Sequence, residues 1–433
     1  MRSIYAVFFK MISSLIGILL IWVVAQFLEE KEAGIVIYFY TVVMIVVQLS
    51  RSGTEHAILK KLPESTALSQ SFILMASLLI VLFVSLISSS LYYGFAFVQG
   101  LVYDYSTYSL LFLLMFSAVF FALNQVIATV FQARLKVFWQ YFYINSGVVA
   151  ITLGFWVLIR ELYACYGVIG FALSFLLSNV FLFSAGFIWL VRSECLSIDV
   201  PLSKKEFYGE VIYIWPFATT AALTIAIQWG GLLLAGFWLD ESELGALSIV
   251  LRISTFSIFG FLAINSYISP MISRCSENED FNIVKLTASY SLVSLLFSFA
   301  FLGVFFLFGR EMLNIIGEAY VFAYPYVVAV VVFWCFRVAL GPVDVVLLMT
   351  GNVHVNKRNL TISGVLSLVS AVSLIPVFGF WGAVFSLIFS RLLLSILNAI
   401  KVYQLFGVLY LSPRAVASGV DGIKAIFFNK RVA

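Results

Sequence analysis

Charge is what this sequence has least of. Only 11% of its 433 residues are Asp, Glu, Lys or Arg, against 63% hydrophobic, and the mean hydropathy is +1.09. A soluble domain keeps about a quarter of its residues charged and about half apolar. No water-soluble fold can hide this much apolar surface, so lipid must be the solvent. A cytosolic enzyme, a secreted disulfide scaffold and a disordered chain are thereby excluded. Histidine is nearly missing, with only His56 and His354, which excludes a multi-histidine metal site. The four cysteines, Cys165, Cys195, Cys275 and Cys335, stand singly with no CxxC pair and read as free thiols. No metal or other cofactor is expected. The net charge of +4 is too small and too dispersed to attract nucleic acid.

What is present is a series of long apolar runs. About 20 such residues cross the hydrocarbon core as a helix, and twelve stretches qualify: 11–28, 34–50, 70–92, 108–131, 139–159, 166–191, 211–238, 245–269, 286–309, 323–349, 360–378 and 380–406. The first lacks a small-residue cleavage site and is followed by acids, so it reads as a span that stays attached, not a signal peptide. Orientation follows from the cations. With the N-terminus inside, cytoplasmic loops and tails hold most of the 25 Lys and Arg, whereas the outer loops hold Lys31, Arg160 and Arg310. Twelve spans then put both termini in the cytoplasm. The longest outer loop is expected near Tyr92 to Thr107, and the longest inner one from Arg192 to Glu210. In the latter, Ser203-Lys204-Lys205-Glu206 has capping-box spacing and predicts a short interfacial helix. No loop is large enough for a catalytic domain, so the chain is not expected to be an enzyme.

The sequence also repeats itself. FLEEKEAG (Phe27 to Gly34) recurs as WLDESELG (Trp238 to Gly245), shifted by 211 residues, and YGVIGFALS from Tyr166 recurs as FGFWGAVFS from Phe378, shifted by 212. The repeat unit is six helices. Six is even, so both halves enter the membrane in the same direction, as parallel repeats around a central cavity. The expected fold is thus an all-α membrane protein. Residues 1–191 form an N-terminal six-helix bundle, 192–210 a cytoplasmic linker, 211–406 a C-terminal bundle and 407–433 a basic tail.

Charge inside the membrane is the strongest functional pointer, because one arginine at the bilayer centre costs at least ~2.5–3.5 kcal/mol. Arg252, Arg337 and Arg391 all fall within predicted spans of the second half. Asp344 follows Arg337 by seven residues, which returns it to nearly the same helix face, with Gly341-Pro342 between them to kink or loosen the helix. The first half offers neutral groups instead: Gln48, Asn124, Gln125, Asn145 and Asn179, with Lys10 near the inner surface. Asn179 holds the repeat position of Arg391. Arginine forks suit phosphate oxygens, so an anionic substrate head is inferred. The competing reading is structural, with Arg337 and Asp344 neutralising each other and the other two arginines bonding helix carbonyls. Trp229 or Trp381 could stack on sugar rings.

An aromatic-rich doubled bundle with an outer L-acid-acid-x-acid-x-G after the first helix resembles the multidrug/oligosaccharidyl-lipid/polysaccharide exporter superfamily. Within it the likeness is to the polysaccharide-transport branch, the Wzx-type O-antigen flippases. FLEEKEAG through RSGTEHAILK is similar to that branch's first two helices. YGVIG and FGFWG resemble the family's starts to helices six and twelve. The eighth helix, R-I-S-T-F from Arg252 with Pro270 and Ser273 at its inner end, is similar to that of lipid II flippases, where the matching arginine belongs to a diphosphate-binding cluster. That role is carried to Arg252 alone. The arginine of that family's second helix has no match here, Gln48 standing near its position, and two further helices are missing. The resemblance implies a bacterial inner-membrane flippase for an undecaprenyl-diphosphate-linked oligosaccharide, an O-antigen or other surface-polysaccharide repeat unit. Arg252, Arg337 and Arg391 would bind the substrate, Asp344 would accept a proton or relieve Arg337 when the site is empty, and membrane lipid and a polysaccharide polymerase would be partners. A cation-coupled drug exporter of the same superfamily, a glycan polymerase or ligase and a non-transporting scaffold are the alternatives.

Overall fold

In the computed structural model, residues 2–62, 67–102, 104–163, 167–193, 204–262, 272 and 283–407 are described, and all their regular elements are helices. A backbone surrounded by hydrocarbon must satisfy its own hydrogen bonds, which a helix does within one segment. The order is α1 (Arg2–Phe27), α2 (Glu30–Ser50), α3 (Thr54–Lys61), α4 (Ala67–Val98), α5 (Tyr105–Ala133), α6 (Val137–Tyr141), α7 (Gly147–Tyr163), α8 (Val168–Arg192), α9 (Lys204–Ala235), α10 (Glu241–Thr255), α11 (Ile283–Ile316), α12 (Tyr324–Ala339), α13 (Val343–Met349), α14 (Val353–Phe378) and α15 (Phe380–Phe406). A π-helical turn, Phe142–Ser146, joins α6 to α7.

Eleven helical segments among the described residues are long and apolar enough to cross a membrane, so this is a multi-pass membrane protein. The predicted first span corresponds to α1, whose described apolar part, Leu15–Phe27, is shorter than the others. Three local expectations change. The outer loop predicted from Tyr92 to Thr107 shrinks to residues 99–104, because α4 and α5 continue past their apolar runs. Among the described residues no separate interfacial helix precedes the seventh span: α9 runs unbroken for 32 residues from Lys204, and Ser203 lies outside the described residues. Its first turns are held by Lys61, which meets Glu210 at 2.6 Å and sits 4.1 Å from the Tyr213 ring centroid. The predicted tenth span is broken, not kinked. Gly341 takes φ +81, and Pro342, which has no N–H to continue the helix, precedes α13.

The short 99–104 connection is shaped by a cap. Asp104 accepts from the Thr107 amide at 2.8 Å while the Thr107 hydroxyl reaches back to the Asp104 amide at 3.3 Å. The hydrogen bonds from Thr107 hold the Asp104 carboxyl below its usual range. The sign follows from linkage. The cap's contribution is complete above the ordinary aspartate value of about 3.9 and is lost as pH falls through the lowered one. Asp104→Ala is expected to cost about 1 kcal/mol at neutral pH, with the gap to wild type closing in acid. Thermal melts at the two pH values check this.

The packing divides the chain into two compact units, Met1–Ile225 with Leu239–Gly245 and Ala226–Trp238 with Ala246–Ala433. In the first unit α5 is the central helix, packed against α2, α4 and α8. Asn124 of α5 donates to the backbone carbonyl and side-chain oxygen of Asn179 of α8, at 3.1 and 3.3 Å. The first turn of α2 meets that of α10 at the repeat-related Gly34 and Gly245. A Cβ on Gly245 would collide with the Gly34 backbone, and one on Gly34 with the Glu241 carbonyl. In the second unit α14 and α15 form a hairpin joined by Gly379 alone, at φ +54, and Gly382 lets α15 lie against the Leu374 carbonyl. α12 packs on α11 and α15, and α13 on α14 and α15.

Candidate functional site

The break after α12 builds the site. On one continuous helix, residues seven apart stand about 10.5 Å apart along the axis. With the helix interrupted at Gly341-Pro342, Arg337 Nη2 meets Asp344 Oδ2 at 2.6 Å. The other oxygen of Asp344 accepts from Asn398 Nδ2 of α15 at 2.8 Å. Asn398 Nδ2 also donates to Asn356 Oδ1 at 2.8 Å, and Asn398 Oδ1 accepts from Asn359 Nδ2 at 2.9 Å. Both carboxylate oxygens are therefore engaged, and the asparagine amide is used at both ends. Asn398 is completely buried and Asn359 nearly so, which is why they must be paired.

Arg391 lies on α15, two turns before Asn398. Its guanidinium donates to the Gln228 carbonyl of α9 at 3.2 Å and stands 4.8 Å from the centroid of Trp334. Arg337 approaches the same ring at 5.9 Å, and that of Phe261 at 5.0 Å. The negative faces of these rings favour cations. Trp334 thus gathers two guanidiniums, while Asp344 answers only one: among the described residues Arg391 has no carboxylate partner. Next to Gln228, the buried indole N–H of Trp229 has no hydrogen-bond acceptor among the described residues. What the cluster can do chemically is hold a multivalent anion, with donors in excess and one positive charge unanswered.

Arg252 is partly buried near the end of α10. The 3-10 turn that follows, Phe256–Ile258, packs against α11 and α12. Pro270 and Ser273 lie outside the described residues, as do Cys165, Cys195 and Cys275; Cys335 is a buried free thiol. Trp381 belongs to an aromatic cluster with Tyr326 and Phe385, at 4.4 and 5.3 Å. No group of three or more His, Cys, Asp or Glu among the described residues could hold a metal ion.

The neutral groups of the first half make helix-to-helix bonds. Asn124 and Asn179 are wholly buried and bond each other, fastening α5 to α8. Gln125 donates to the Ile144 carbonyl at 3.0 Å, and Asn145 to the Ser13 carbonyl of α1 at 2.6 Å. Asn124 and Asn179 precede Arg337 and Arg391 by 213 and 212 residues. Positions that carry an amide pair in one half therefore carry two cations in the other. Sequence reading found the arginines and Asp344 but missed Trp334 and the three asparagines. Asn398, seven residues after Arg391, was the one periodic signal pointing to them.

No family model matches this chain, and no curated protein matches it. Solved structures do. A multidrug resistance MATE family transporter of the MOP superfamily in an inward-facing conformation is similar at TM-score 0.72 and 13% identity, covering 91% of this chain and 94% of its own. The lipid II flippase MurJ in an inward closed conformation is similar at TM-score 0.73 and 12% identity, covering 98% and 92%. A MOP superfamily transporter from Pyrococcus furiosus, described by the reverse polarity of its binding pocket, gives TM-score 0.62 and 13% identity, with 95% of each chain covered. Across nearly its whole length, the chain has the fold seen in these MOP-superfamily transporters.

Proposed function

We propose that this protein is a flippase for a lipid-linked oligosaccharide, moving an undecaprenyl-diphosphate-linked repeat unit of a surface polysaccharide such as O-antigen across a bacterial inner membrane. The observation that carries the reading is the pair of guanidiniums at Trp334 with a single carboxylate between them. Keeping an unanswered cation at membrane depth is expensive, and a diphosphate is the anion whose oxygens match its donors. Arg391 and Arg337 would hold the diphosphate with Arg252 beside them. The polyprenyl tail stays in lipid, and the two six-helix halves move in alternating access with both termini in the cytoplasm. No covalent step is required, and a polysaccharide polymerase is the natural recipient of the product. The likeness to MurJ supports a lipid-linked cargo.

The likeness to MATE multidrug transporters supports a second reading, a cation-coupled drug exporter in which Asp344 binds the coupling ion. Ligand-dependent thermal stabilisation of the purified protein separates the two. A short-chain polyprenyl-diphosphate sugar is expected to raise the melting temperature of wild type and to do so less for Arg252→Ala. Stabilisation by a lipophilic cation and not by the diphosphate would put the exporter first.

A further inference from the structure

The first unit holds a cavity of about 260 Å3 between α4 and α5, lined by none of the residues of the arginine cluster. Ser89 is in its wall and is 6% exposed, yet its hydroxyl has no hydrogen-bond partner among the described residues. Serines in an apolar helix ordinarily donate to a carbonyl one turn back, and its neighbours Ser85 and Ser88 do, to Leu82 and Val84. Ser89 does not. The hydroxyl of Tyr93, one turn on, is shared with Tyr108 across the same wall. Buried polar groups in native proteins are paired, so the orphaned hydroxyl of Ser89 in the cavity wall calls for a guest that accepts a hydrogen bond.

The remaining wall says where the guest comes from. Tyr108, Phe112 and Phe116 line the cavity and are exposed, on helices that are themselves membrane spans. Their exposed faces therefore meet hydrocarbon, and the cavity opens to the bilayer, not to water. Phe112 and Phe116 stand 6.4 Å apart with their rings parallel, forming a flat apolar track along α5. Depth gives the guest's polar part. The spanning segment of α4 is 30 residues long, about 45 Å, against a hydrocarbon core of about 30 Å. Tyr93 lies five residues before the helix end, about 7 Å in, at the headgroup boundary, and Ser89 is one turn deeper. That is the depth of glycerol ester carbonyls. A drug-sized guest needs about 300–1,000 Å3, which this cavity does not offer, whereas the upper part of one acyl chain fits it.

We infer that this cavity is a glycerophospholipid site, in which Ser89 donates to an ester carbonyl and the acyl chain runs over Phe112 and Phe116. The full chain, reconstituted in vesicles of phosphatidylethanolamine and phosphatidylglycerol, is photolysed with phosphatidylglycerol carrying a diazirine in one acyl chain. Residues on the track are expected to label above Phe181, an exposed residue of α8, by about fivefold, the preference that one ordinary hydrogen bond supplies. Ser89→Leu and, independently, Met115→Trp fill the cavity and should bring the track down to the Phe181 level while leaving Phe181 labelling unchanged. Equal labelling of the track and Phe181 in wild type, or excess labelling that survives both filling substitutions, would overturn the site and reduce the cavity to a packing gap.

Discussion

Arg391→Ala is expected to weaken binding of a polyprenyl-diphosphate sugar by about 10–150-fold, the loss of one charge-assisted hydrogen bond of roughly 1.5–3 kcal/mol. Arg391 is the guanidinium at Trp334 without a carboxylate partner among the described residues, so its charge is the one most open to a ligand. Arg391→Lys should recover only part of the affinity, because an ammonium keeps the charge but not the planar fork that spans two phosphate oxygens. Titration of the purified protein by thermal shift or calorimetry reads all three. A purely structural Arg391 gives a different pattern. Its bond to the Gln228 carbonyl could be made by lysine as well, so the alanine variant would melt lower with ligand affinity unchanged.

Asp344→Ala is expected to destabilise the protein by about 3–5 kcal/mol, since removing one partner of a buried pair leaves the other charge uncompensated. Here the loss reaches further than Arg337, because Asn398 also donates to Asp344 and is itself bound to Asn356 and Asn359. Both partners remain partly exposed, at 16% and 28%, which puts the cost toward the lower end of that range. Replacing both at once, Arg337→Met with Asp344→Leu, should recover most of the stability, as apolar isosteres of buried pairs do. Thermal melts of the two singles and the double measure the coupling. Asp344→Asn addresses the proposed proton role. Transport by this variant with unchanged rate and unchanged pH dependence would leave Asp344 as the structural counter-ion of Arg337 and nothing more.

How far the site could be read in advance depended on the kind of signal each residue left. Arg337, Asp344 and Arg391 announced themselves because charge is rare in apolar runs. Trp334 is one of nine tryptophans in a chain with 44 phenylalanines, so nothing marked it as the ring that two arginines share. Asn398, Asn359 and Asn356 are ordinary polar residues until α14 and α15 fold against each other and bring them within 2.8–2.9 Å. Asn124 and Asn179 show how little depth alone says. Asn124 ties α5 to α8 through its amide N–H, yet its own side-chain oxygen has no partner among the described residues, so depth alone did not separate a helix tie from a ligand-facing group.

The sequence by itself determined the solvent, the helical class and the approximate spans. Hydrocarbon forbids unpaired backbone, and about 20 apolar residues have a single way to cross it. It also located the rare charges and the two repeated motifs, FLEEKEAG with WLDESELG and YGVIG with FGFWG. Only the tertiary structure decided that the tenth span breaks at Gly341, that α9 runs unbroken from Lys204, and that two arginines meet at one indole. Those outcomes turn on a glycine at φ +81, on the hold of Lys61 on Glu210 and on contacts between helices far apart in the chain. Hydropathy reports how well a segment tolerates lipid. Which side chain answers which charge depends on the distances that packing sets.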